Sequence, residues 1–327
     1  MSVATSLHCL FWKTLALADC LIVAALADVF AEELSRLTDE RVSAIACATA
    51  SDARAAYTDE TVLFGSPETI AELVDEMPSV DWVQSSWAGV RPLMDARRRD
   101  FQVTGVKGVF GPQMAEYALG HILAHELRLV ERREKQQARQ WWREPSGTLI
   151  GKHLGVLGTG SIGAAIAKAA KPFGVNTRGL NRGGNPVEGF DQIVAASDIE
   201  RFLDGLDYLV STLPDTAATE NLLDKRRISL LPSGALFINV GRSNVIDDQA
   251  LCTALDDGRL AGAVLDVFDV EPLPPEDPLW STPRLTVTAH VAAISHPLLI
   301  VPIFVENFRR YRAGEPLLHT VDFSAGY

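Results

Sequence analysis

The chain has 327 residues, 47% hydrophobic and 22% charged, a globular balance with room for two ordinary domains. A formal net charge of −12 repels phosphate backbones and argues against nucleic acid as a partner; the short runs Arg97-Arg98-Arg99 and Arg132-Arg133 are flanked by acids and read as solvated faces. Cys9, Cys20, Cys47 and Cys252 are too scattered for a zinc site or a disulfide framework, so they read as reduced thiols of a cytoplasmic protein with no metal.

The stretch LALADCLIVAALADVF, residues 15–30, is apolar, and Ala25-Leu26-Ala27 imitates an export-cleavage site. Asp19 and Asp28 interrupt it, and it is too short to span a membrane. It reads as a strand at 14–18 followed by a buried helix at 24–36. Further strands are expected at 42–46, 61–64, 82–85 and 101–104, with a helix at 67–74. Such alternation implies a parallel sheet covered by helices. One long helix is expected next, over 112–142. It opens on Gly111-Pro112, keeps a helical period through Met114, Ala118, Ile122 and His125, and turns charged beyond Leu129. It ends in Trp141-Trp142, either an arm that meets another surface or two indoles packed on their own domain. A second alternating set follows, with strands at 154–157, 176–180, 208–211, 235–239, 262–265 and 285–288. Six strands match one doubly wound nucleotide-binding unit. The tail, 301–311, reads as a helix.

The turn after the first strand of that set reads Gly158-Thr159-Gly160-Ser161-Ile162-Gly163. A GxGxxG match alone is weak, but here an apolar strand precedes it and an alanine-rich helix follows. The first glycine permits the tight turn, the second lets a pyrophosphate approach the backbone, and the third lets the helix pack on the sheet. The helix N-terminus offers N–H groups and a positive dipole end to the phosphates.

Asn181 lies 23 residues beyond Gly158, where Asp or Glu would hold the ribose hydroxyls of NAD. Asparagine removes a charge that would repel a 2′-phosphate, and Arg182 adds a cation with forked geometry next to it. Gly183-Gly184 leaves room for the extra group. The preferred cofactor is therefore NADP(H). If Arg182 is only a surface arginine, NAD(H) binds as well.

Three later segments, INVGRSNVID, LDVFDVEPLPPEDPLW and LTVTAHVAAIS, stand behind that turn. With them the chain resembles the D-isomer-specific 2-hydroxyacid dehydrogenases, and within these the glyoxylate/hydroxypyruvate reductase branch. The resemblance runs from about Trp82 and is faint before Ser79. It implies that Arg242 grips the carboxylate and keto oxygen of a 2-keto acid and that His290 protonates the keto oxygen as hydride arrives. Glu271 would hydrogen-bond the imidazole and keep it protonated. It further implies that Asp266 contacts the nicotinamide carboxamide and that Leu213, Pro214 and Val240 border the cofactor. In SSWAGV, Ala88 and Gly89 would offer backbone N–H groups to the substrate carboxylate and Trp87 would wall the pocket; as a bare residue Trp87 reads equally as a core indole. The sequence departs from the family pattern at Ser243, where glycine is usual, at Ala289, where proline is usual, and at Asn181.

The resulting expectation is an α/β protein of two doubly wound parallel-sheet domains with the cleft between them. A flavodoxin-like substrate domain would take residues 1–105 plus 292–327. A Rossmann domain would take 106–291, including the 112–142 helix, which the resemblance places at a homodimer interface. The reaction would be NADPH-dependent reduction of a small 2-keto acid, such as glyoxylate or hydroxypyruvate, to the D-2-hydroxy acid. Two rivals share the fold. Formate and phosphite dehydrogenases are one, although formate dehydrogenases pair the histidine with glutamine, where this chain has Glu271. The other is a nucleotide-gated binding scaffold without turnover.

Overall fold

The computed structural model describes residues 19–38 and 42–323; the strand expected at 14–18 and Cys9 lie outside them. The chain divides into two compact units, one comprising Met1–Val109 with Ser295–Tyr327, the other Phe110–Ile294.

In the first unit the order is β1 (Cys20–Val23), α1 (Ala27–Leu37), β2 (Ala44–Cys47), α2 (Ala50–Ala56), β3 (Val62–Gly65), α3 (Pro67–Ala71), β4 (Trp82–Ser85) and β5 (Gln102–Thr104). The strands form one parallel sheet in the order β2-β1-β3-β4-β5, the flavodoxin-like winding. β1 corrects the sequence reading, which set a strand at 14–18 and a helix at 24–36 and assigned no strand to Cys20–Val23; the helix begins only at Ala27. Cys20, Leu21, Ile22 and Val23 are all buried, as in a strand covered on both faces. Such a run has no alternation, so periodicity does not separate it from buried helix. The α2 and α3 starts are capped by Thr49 and Ser66, whose side chains accept from the N–H groups of Asp52 and Thr69.

The second unit opens with α4 (Gly111–Glu126) and α5 (Leu129–Gln137). This corrects the single 112–142 helix: Arg128 takes the left-handed conformation, φ 51°, and breaks it, and Trp141-Trp142 lie beyond the helical residues. Arg132 sits at the break, donating to Leu127 O at 2.8 Å and Glu144 O at 2.8 Å. With neither glycine nor proline there, the sequence carried no stop signal. The chain continues through β6 (His153–Leu157), α6 (Ser161–Ala170), β7 (Asn176–Asn181), β8 (Gln192–Ala195), α7 (Ile199–Leu203), β9 (Tyr208–Ser211), α8 (Lys225–Ile228), β10 (Leu236–Asn239), α9 (Asp248–Asp256), β11 (Gly262–Leu265) and β12 (Leu285–Val287). The parallel sheet runs β12-β11-β10-β9-β6-β7-β8, a Rossmann winding with its switch point between β6 and β9. It has seven strands rather than the expected six. The extra one, β8, is an edge strand only partly buried, and its short Ile193-Val194-Ala195 run was not singled out in the sequence.

A last helix, α10 (Pro297–Ala313), returns to the first unit. Its Phe304 stacks on Phe64 with centroids 4.7 Å apart and on Trp82 at 5.3 Å. The buried Trp82 indole donates to Thr104 Oγ1 at 2.9 Å, so its one polar atom is satisfied. Among the described residues no helix is long and apolar enough to cross a membrane.

Candidate active site

The glycine turn joins β6 to α6. Gly158 has φ +92°, open to glycine, and a Cβ there would lie 2.8 Å from Thr212 Oγ1. A Cβ on Gly163 would lie 2.0 Å from Gly158 O, so this glycine is what lets α6 close on the turn. Gly160, the N-cap of α6, is exposed, and nothing lies within 4 Å of the place its Cβ would take. The three glycines thus divide as a phosphate cradle requires: two close the packing and the middle one leaves backbone bare toward an incoming group. Ser161 is exposed, and Thr159 and Ile162 are half-buried. Along the same sheet edge Leu213 comes within 3.3 Å of the Cβ position of Gly158, Pro214 is exposed and Val240 is buried. These residues fit a dinucleotide.

Asn181 ends β7 and Arg182 is exposed on the turn that follows. Both ends of the Asn181 carboxamide are engaged. Nδ2 donates to Thr159 Oγ1 at 3.1 Å and to Asn185 O at 2.8 Å, and Oδ1 accepts from Asn185 N at 3.1 Å.

Arg242, Glu271 and His290 all stand in the second unit. Glu271 Oε2 meets His290 Nδ1 at 2.8 Å, while Glu271 Oε1 accepts from Phe268 N at 2.9 Å. The carboxylate is therefore held from behind and presented to the ring. The pair remains accessible, with side chains 39% and 36% exposed. His290 adopts φ +53°, and its N–H is tied to Asp266 O at 2.8 Å. Arg242 is half-buried and donates from Nη1 to Gly241 O at 2.7 Å. Burial pushes its guanidinium below the usual range, while the charges of Glu271 and Asp215 act the other way. An arginine so placed keeps its charge at any working pH.

Asp266 holds the His290 loop. Only 1% exposed, its carboxylate accepts from Thr288 Oγ1 at 2.6 Å, Val291 N at 2.9 Å and Ala292 N at 2.9 Å. Thr288 in turn accepts from Tyr117 Oη at 2.6 Å, its own proton being spent on Asp266. Burial pushes Tyr117 up to about 12. Asn239, also 1% exposed, does the same for Arg242: Oδ1 accepts from Gly241 N at 3.1 Å and Nδ2 donates to Arg242 O at 2.9 Å. Sequence reasoning missed Asn239, Thr288 and Tyr117. The first two stand inside quoted motifs, but Tyr117 is 171 residues from its partner and left no local signal.

In the first unit, Trp87 is half-buried, Ala88 exposed and Gly89 half-buried; Trp87 N and O both bond Ser85 Oγ, at 3.1 and 3.0 Å. Trp87 is thus not the core indole; that place belongs to Trp82. Among the described residues no group of three His, Cys, Asp or Glu is arranged to hold a metal.

Residues 119–292 match the family model for the D-isomer specific 2-hydroxyacid dehydrogenase NAD-binding domain. The glyoxylate/hydroxypyruvate reductase A of Serratia proteamaculans (strain 568) is 34% identical over 215 residues, 66% of this chain and 69% of that protein. A D-isomer specific 2-hydroxyacid dehydrogenase family protein from Aeromonas salmonicida superposes with a TM-score of 0.90 at 38% identity, covering 94% of this chain and 99% of that one. The NADPH-dependent glyoxylate/hydroxypyruvate reductase of Sinorhizobium meliloti, solved with NADP and sulfate, superposes with a TM-score of 0.82 at 26% identity, covering 94% and 100%. With the family's nucleotide-binding domain matched over more than half the chain, and its whole-chain architecture reproduced in solved relatives, this protein belongs to the D-isomer specific 2-hydroxyacid dehydrogenases, NAD(P)-dependent oxidoreductases.

Proposed function

We propose that the protein reduces a small 2-keto acid, with glyoxylate and hydroxypyruvate foremost, to the D-2-hydroxy acid, and that NADPH is its preferred reductant. The observation that carries the reading is the Glu271–His290 hydrogen bond, 2.8 Å, in the same unit as the half-buried Arg242. When bound, the nicotinamide supplies a hydride to the carbonyl carbon. Arg242 holds the carboxylate and polarises the keto oxygen with a guanidinium that its half-buried setting leaves less screened by water. With Nδ1 engaged by Glu271, His290 delivers its proton from Nε2, forming the hydroxyl and leaving a neutral ring hydrogen-bonded to the carboxylate. Gly158, Gly160 and Gly163 cradle the pyrophosphate and Arg182 meets the 2′-phosphate. Asp266 acts chiefly by fixing the His290 loop, and the loop of Trp87, Ala88 and Gly89 serves the substrate carboxylate.

Phe110–Ile294 is then the nucleotide-binding domain and the other unit the substrate domain. We also read the segment that carries the 90% exposed Trp141 as a contact with a second copy of the chain, in a cytoplasmic homodimer. His290→Ala tests the chemistry: turnover falls by about 100-fold or more while reduced cofactor still binds. Near-normal turnover would remove His290 from the mechanism.

A further inference from the structure

The residue at the end of the second strand of a nucleotide-binding sheet ordinarily touches the ribose. Here its side chain is already occupied. A carboxamide has two N–H donors; those of Asn181 go to Thr159 Oγ1 and Asn185 O, and its oxygen accepts Asn185 N–H. The reciprocal pair with the Asn185 backbone closes residues 181–185 into a small ring. The third bond ties that ring to the glycine turn.

The surroundings fit this arrangement. Gly179, on β7, leaves room for Thr159: a Cβ there would stand 2.6 Å from Thr159 Cγ2 and 2.7 Å from Ile193 Cδ1. Inside the ring Gly184 has φ +71°, and a Cβ on it would meet Ala195 of β8 at 3.2 Å. An aspartate at 181 has no donor to give and would set its charge against the Asn185 carbonyl. Arg182 stands on the ring, exposed.

We propose that Asn181 is a positioning residue for cofactor choice: it closes the 181–185 loop and anchors it to Thr159, presetting Arg182 for the 2′-phosphate of a phosphorylated dinucleotide rather than gripping the ribose itself. The inference rests on the NADPH reading above. Asparagine here does more than remove a repelling charge, since it supplies the donors that build the loop.

The test is titration of the intact protein with NADPH and with NADH, followed by nicotinamide fluorescence, in Asn181→Ala, Thr159→Val, the double variant, Thr159→Ser and Arg182→Ala. The ratio of the two dissociation constants is the readout, so losses common to both cofactors cancel. Asn181→Ala is expected to lower the NADPH preference by about tenfold. Thr159→Val lowers it in part, Thr159→Ser keeps it, and the double variant is no worse than Asn181→Ala, because one contact cannot be lost twice. Equal weakening of both cofactors by Asn181→Ala would mean a direct ribose contact and overturn the proposal, as would independent, additive effects of the two sites. Arg182→Ala separates the two levels. If it abolishes the preference while Asn181→Ala does not, the loop argument alone fails. If Arg182→Ala leaves the preference untouched, Arg182 is not the phosphate contact and the proposal fails while the NADPH reading stands; parent protein that binds NADPH no better than NADH would sink that reading itself.

Discussion

Asp266 shows how much of this site is built by one buried residue. Its carboxylate takes two backbone N–H groups and a hydroxyl from the segment that carries His290, and its own carbonyl takes the His290 N–H. Asp266→Asn turns an acceptor toward a donor: the amide nitrogen must face Val291 N or Ala292 N. We expect a loss of about 1–3 kcal/mol in denaturant unfolding, with turnover falling further because His290 is displaced. Unchanged stability would mean that the loop holds itself. Tyr117, at the far end of the same chain of bonds, gives a pH test. Its ordinary value of 10.0 is raised to about 12 in the folded protein. Between those values the unfolded chain has lost a proton that the folded one keeps, so stability is full below pH 10 and falls as pH rises toward 12. Unfolding of Tyr117→Phe should show a shallower loss across that window; an identical slope would assign the loss to other groups. At the opposite extreme from the accessible His290, burial pushes the Cys20 thiol well above its usual range, and native protein should leave it unreacted by thiol reagents at pH 8.

At the scale of elements, the glycine turn separates two demands that the motif merges. Gly163→Ala places a methyl 2.0 Å from Gly158 O and must shift α6 or the turn, for a loss of about 1–3 kcal/mol. Gly160→Ala meets nothing within 4 Å, so it should fold and melt almost as the parent does while binding cofactor more weakly. A stable Gly163→Ala variant with normal binding would contradict the division. The elements were legible where burial is complete. VLFG, YLVS and GAVL are strands buried at nearly every position and stand out as short apolar runs between turns. Two kinds of element were not legible. CLIV was absorbed into the apolar stretch around it, because a fully buried run carries no period. The long helix was expected unbroken because its break, at Arg128, comes from a backbone conformation that no glycine or proline announces.

The whole molecule joins two parallel-sheet units of different winding, and the split of the chain between them follows from a final helix that returns to the first. The candidate site was read in the sequence as three motifs behind a glycine turn. The structure sets Glu271 against His290 within hydrogen-bond distance although 19 residues separate them. What could not be read were the braces. Asn239 hides among apolar strand residues, Tyr117 lies on a distant helix, and the Asn181 ring depends on backbone atoms that sequence does not display. The central claim, a keto-acid reductase choosing NADPH, is a property of the intact protein and is tested there. The decisive measurement is the initial rate of loss of reduced-nicotinamide absorbance, with NADPH and NADH in parallel and glyoxylate, hydroxypyruvate, pyruvate and phenylpyruvate as substrates. We predict turnover of glyoxylate or hydroxypyruvate with kcat/KM higher for NADPH than for NADH. Turnover favouring NADH would contradict the phosphate role of Arg182, and no turnover with either cofactor would contradict the reductase itself.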